Sequence, residues 1–169
     1  MVTEREVVYR IINDHPEGIP GLFERHGALF HEGLLRFFGS AGEEQSERLG
    51  VLARSVTDLM KAGRFDDLHE TFYNWIVRIT WCIFMDLRLK EEGGEHLDPE
   101  VIYTFVERVD VEALPEGIRK KSESHFESCA LCRSMLELAK DIPVEVRHAG
   151  AEFPEAFEAV IQSALESKR

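Results

Sequence analysis

Between Phe65 and Glu91 apolar side chains recur at three- and four-residue steps: Leu68, Phe72, Trp75, Ile76, Ile79, Ile83 and Leu87. Val77, Trp81, Phe84 and Met85 add apolar surface on the other faces. This spacing follows the 3.6-residue turn of an α-helix and not the two-residue alternation of a strand. A helix apolar nearly all round sits at the centre of a helical domain or against a partner. Arg78, Asp86 and Arg88 interrupt the run, so it is too charged to span a bilayer.

The rest of the chain carries the same period. Thr3 and Glu6 form a capping box ahead of Val7, Val8, Ile11 and Ile12, and the helix they start stops at His15-Pro16. Glu17 to Gly21 reads as a turn-rich break. A second helix is expected from Leu22 to Phe38, ended by Gly39-Ser40-Ala41-Gly42. A third runs from Glu43 to Lys61 with Leu49, Leu52, Val56, Leu59 and Met60 on one stripe. With the segment 65–91 these make an N-terminal four-helix bundle over residues 1–92. Glu92-Gly93-Gly94 is the clearest internal boundary. Beyond it, over residues 95–169, Asp98-Pro99 is a strong start for a short helix to Arg108: an aspartate cap, then proline at the first helical position. Leu114-Pro115-Glu116 opens a helix to Asp141, and Phe153-Pro154 opens a last amphipathic helix to Ser167. The expected fold class is all-α: a four-helix bundle followed by a small helical metal-binding module.

Chemistry concentrates in His125-Phe126-Glu127-Ser128-Cys129-Ala130-Leu131-Cys132. On one helix His125, Cys129 and Cys132 fall at i, i+4 and i+7, within about 60° of one another. An imidazole and two thiolates from one face are three quarters of a structural zinc site, which takes four nitrogen or sulfur ligands. His96 is the best fourth ligand, because antiparallel packing of the short helix on the long one brings its loop towards Cys129 and Cys132. His148, Cys82 and a carboxylate stay open as alternatives, as does iron in place of zinc.

Residues 96–139 resemble the zinc-binding helical hairpin of bacterial anti-sigma factors. His96-Leu97-Asp98-Pro99-Glu100 matches the first ligand and helix start. His125, Cys129 and Cys132 match the His-x3-Cys-x2-Cys core, followed by Arg133 and the helical run Ser134 to Ala139. The resemblance covers about a quarter of the chain. It implies zinc held by His96, His125, Cys129 and Cys132, and a protein partner such as a sigma factor or another regulator, gripped with the help of a following helix.

Other readings compete with that one. A helical C-x-x-C pair also serves dithiol catalysis where a helix N-terminus lowers one thiol's pKa. In a single helix over 115–141 the pair lies mid-helix, where the dipole helps little. A thiol–disulfide or peroxide-linked oxidoreductase using Cys129 and Cys132 as catalytic residues therefore ranks second. A hybrid, in which oxidation of the thiolates releases zinc, makes the regulator redox-responsive. A homodimer joined through the fourth helix is a third reading. Glu145-x-x-His148 has di-iron half-site spacing but lacks a second copy. His26 and His31 read as polar-face or boundary residues, His69 as surface, and Cys82 as a small core residue.

The balance of 20 basic against 32 acidic residues, net −12, repels phosphate backbones and anionic lipid, so neither nucleic acid nor membrane is an expected partner. The opening residues are charged and carry no apolar signal core. Three cysteines, two of them in C-x-x-C, do not make a secreted disulfide framework. A cytoplasmic zinc-binding regulatory or adaptor protein is the expectation, not an enzyme in the leading reading.

Overall fold

A computed structural model describes residues 2–106, 111–140 and 155–166. Among them are eight α-helices and no strand: α1 Glu4–Ile12, α2 Gly18–Phe38, α3 Ser46–Lys61, α4 Phe72–Glu92, α5 Pro99–Thr104, α6 Glu116–Ser128, α7 Ala130–Lys140 and α8 Glu155–Glu166. The all-α class follows directly. The chain forms two compact units, one holding residues up to Thr80 together with α8, the other beginning at Trp81 and holding α5 to α7. The division thus falls inside α4, ahead of the Gly93-Gly94 boundary read from the sequence.

In the first unit, α1 is capped as its sequence demands. Thr3 Oγ1 accepts the Glu6 N–H at 3.2 Å, and Glu6 returns a bond to the Thr3 N–H at 2.7 Å. The chain then turns through Asp14, whose φ of 54° is the only left-handed non-glycine conformation among the described residues. α2 starts at Gly18, four residues before the expected Leu22. Pro20 fits in that first turn because no helical acceptor awaits its missing N–H. Gly18 is needed for proximity, since a Cβ there would lie 2.9 Å from Ile11 N, where α1 and α2 meet. α2 ends on Gly39, left-handed at φ 73°. A short 3-10 turn, Glu43–Gln45, leads into α3. α8 lies against α3 and this turn, burying Val160, Ile161 and Ala164. The expected last helix is present over 155–166, while Phe153, Pro154 and Ser167 lie outside the described residues.

The fourth helix is shorter than its periodicity predicts. Phe65 to Thr71 are not helical, and Leu68, expected in the apolar stripe, is 89% exposed. Asp66 is the cause: its carboxylate accepts the Leu68 N–H at 2.9 Å and holds the His69 ring, a local bond that competes with the helix. Thr71 then caps α4 by accepting the Asn74 N–H at 3.2 Å. Phe65 still reaches the core, with its ring 5.3 Å from Phe72 and 5.4 Å from Trp75. Trp75 and Trp81 are fully buried, and Phe72, Ile76, Val77, Ile79, Phe84, Met85 and Leu89 are buried with them. The aromatic-rich faces of α4 are therefore covered within the chain.

In the second unit Asp98 caps α5 through the Glu100 N–H at 2.8 Å, with Pro99 at the first helical position. The helix is described only to Thr104, shorter than the expected Arg108. The helix expected over 115–141 is not continuous. It breaks at Cys129, whose φ of −110° and ψ of 102° are extended, so that α6 ends at Ser128 and α7 begins at Ala130. α7 packs on both α5 and α6.

Candidate metal centre

The break at Cys129 draws the ligands together. In a straight helix seven residues rise about 10.5 Å, a span the His125 and Cys132 side chains would bridge only near full extension to share one ion with bonds of about 2 Å. Bent at Cys129, the chain brings one ligand atom from each of His96, His125, Cys129 and Cys132 within 4.8 Å of the others. His96 Nδ1 lies 3.5 Å from Cys129 Sγ and 3.6 Å from Cys132 Sγ. A tetrahedral zinc ion, with Zn–S about 2.3 Å and Zn–N about 2.0 Å, sets a sulfur and a nitrogen about 3.5 Å apart. Those two edges of the tetrahedron are already in place. Closing the widest pair takes a contraction of about 1 Å.

Each imidazole has a nitrogen available for a metal. His96 Nε2 faces the Gly93 carbonyl at 2.6 Å, leaving Nδ1 for the sulfurs. A carbonyl behind a ligating histidine fixes ring orientation and tautomer. His125 Nε2 is buried without a hydrogen-bond partner, a costly state for a ring nitrogen that a metal would relieve. Gly93 closes α4, its N–H donating to Leu89 at 3.2 Å, and its φ of 71° is left-handed. A Gly93→Ala chain is expected to be about 1 kcal/mol less stable and to hold metal less tightly. Urea unfolding followed by circular dichroism, alongside a chelator competition, checks both.

The two thiols sit in opposite environments. Cys129 stands at the N-cap position of α7, and the Cys132 backbone N–H points at its sulfur from 3.5 Å. That bond first, then the His96, Cys132 and His125 side chains, pull the Cys129 thiol down to about 6 against the effect of burial. Burial pushes Cys132, with no exposed surface, up to about 11, and the neighbouring Cys129 adds to this while the Leu97 N–H opposes it. The expectation that the helix dipole gives little help at this pair is corrected, because the break hands Cys129 a helix N-terminus of its own. The Gly93 carbonyl, and after it Cys129, raise the His96 pKa, so a cation at Nδ1 is favoured, whether proton or metal.

Cys82 is buried in α4 outside the cluster, and His148 and Glu145 lie outside the described residues. His69 is exposed beside Asp66. His31 is half-buried, while His26, read from the sequence as a polar-face or boundary residue, is 7% exposed. Gly93 entered the sequence reading only as a boundary. The clue to its contact with His96 is a glycine pair ending a helix three residues ahead of a candidate ligand histidine.

No protein-family model matches this chain, nor does any curated protein or solved structure. Among the described residues no helix is long and apolar enough to cross a membrane.

Proposed function

We propose that His96, His125, Cys129 and Cys132 hold one structural zinc ion, and that the chain is a regulatory or adaptor protein acting by protein contact, in the manner of zinc-containing anti-sigma factors. The carrying observation is the closing of four nitrogen and sulfur donors on one point, with sulfur–nitrogen separations of 3.5 and 3.6 Å. A two-nitrogen, two-sulfur tetrahedron suits zinc over magnesium or calcium, which take oxygen, and over copper(II), which flattens. With four protein ligands no coordination position is left for substrate, so the ion shapes a surface instead of activating water. The step from that surface to a sigma factor or other regulator rests on the His-x3-Cys-x2-Cys resemblance. When bound, zinc would tie the loop before α5 to the α6–α7 junction.

One observation favours a second reading, a peroxide-linked dithiol. Cys129, held near pKa 6 at a helix N-terminus beside Cys132, is a thiolate at neutral pH. It can attack a peroxide oxygen to give a sulfenic acid and a hydroxide or alkoxide. Cys132 then displaces water from the sulfenic acid and closes a disulfide. Metal content per chain, measured by elemental mass spectrometry on freshly purified protein, separates the two. One zinc per chain, with both thiols slow towards alkylating reagents, is the expected result. Metal-free protein with freely titratable thiols and rapid peroxide consumption overturns the zinc reading in favour of the dithiol.

A further inference from the structure

The bent junction at Cys129 needs a physical cause. The segment Ser128-Cys129-Ala130 contains no glycine or proline to break a helix, so local preference favours the straight conformation that would pull the ligands apart. Ending α6 at Ser128 strands its last carbonyls. The Cys129 N–H takes that of His125 at 2.8 Å. Those of Phe126 and Glu127 are met by a single group from across the break: Arg133 Nη1, at 2.8 and 3.2 Å. We propose that Arg133 is the positioning residue of the metal centre, a clamp that holds α6 and α7 at the angle their ligands require. This rests on the zinc reading above and adds to it a residue that touches no metal.

Three features make the clamp specific. Arg133 follows Cys132 directly on α7, while the carbonyls it holds belong to the two residues that follow His125 on α6, so the link joins the segments that carry the ligands on either side of Cys129. A cation at the C-terminal end of α6 also complements the helix dipole there. And the two N–H groups of Nη1 are fixed in the guanidinium plane, one for each carbonyl, where the three donors of an ammonium rotate freely.

The test is zinc affinity by competition with a chromophoric chelator, for the full-length wild-type, Arg133→Ala, Arg133→Lys and Lys140→Ala chains, with zinc alone as the titrant. Arg133 is exposed, so the expected loss for Arg133→Ala is about tenfold, the lower end of the range for residues that orient metal ligands. Arg133→Lys should fall between, and Lys140→Ala, which removes only the Lys140–Glu137 pair at 2.8 Å on the same helix, should match wild type. Cobalt(II) substituted for zinc gives a second readout. Its visible d–d bands should shift or weaken in Arg133→Ala even at saturation, which mere loss of helix stability would not produce. Wild-type affinity and wild-type cobalt bands in Arg133→Ala overturn the clamp and leave the zinc reading standing. Failure of the wild-type chain to take up zinc or cobalt overturns both.

Discussion

A Cys132→Ser chain is expected to purify with roughly a tenth or less of the zinc of the wild type, because a structural site loses most of its affinity with one thiolate gone. The second unit should lose much of its helical signal with the metal. α5 has 6 residues, α6 has 13 and α7 has 11, at or below the length at which an isolated helix holds in water. Among the described residues its buried apolar side chains beyond α4 are few, chiefly Ile102, Met135 and Ala139, with Cys132 itself among them. In a unit of this kind metal binding free energy is folding free energy. Cys82→Ser is the control, equally a buried cysteine but outside the cluster, and it should keep its zinc. Elemental analysis and circular dichroism on the two variants decide the matter. A Cys132→Ser chain with full zinc would mean that another group completes the site, and the four-ligand reading would fall.

A straight-helix reading grouped residues that do cluster in the fold, but through a geometry the fold does not use. Spacing of i, i+4 and i+7 places three ligands on one stripe, and that much was legible. How closely they converge depends on the break at Cys129, which no local signal announces. The groups that stabilise it, the Arg133 guanidinium and the contact with α5, come from outside the turn in which it occurs. Signals confined to one turn were read well: the Thr3–Glu6 box, Asp98-Pro99, and Gly39 at the end of α2. His96 was reachable by a packing argument, whereas Gly93 behind it was not. Leu68 went the other way, fitting the stripe by period but lost from it because Asp66 offers the backbone a stronger local bond. His26 was legible and misjudged. Leu22, Leu29 and Phe30 lie four residues before it and three and four after it, which puts its side chain on the buried face of α2.

That buried histidine makes the first unit sensitive to acid. His26 is 7% exposed, its ring centroid lies 5.4 Å from that of Phe72, and its Nε2 has no hydrogen-bond partner. Burial, with the neighbouring Arg25 charge adding to it, pulls its pKa from 6.5 down to about 4. Between these two values the unfolded chain binds a proton at His26 and the folded chain does not. Stability from this group is therefore fully present above pH 6.5 and is lost as pH falls towards 4. Linkage puts the loss at about 2 kcal/mol by pH 5, approaching about 3 kcal/mol below pH 4. His26→Leu removes the titrating group, keeps an apolar side chain of similar size, and eliminates an unsatisfied nitrogen. At pH 7 it should be as stable as wild type or slightly more so. Other carboxylates titrate in both chains, so the informative quantity is the difference between the two urea midpoints, converted to free energy, at pH 7 and pH 5. A gap that widens by about 2 kcal/mol in favour of His26→Leu on acidification is the expected result. A gap that stays constant would place a proton acceptor at His26 in solution, and the ring would then be a charged, partnered member of the core.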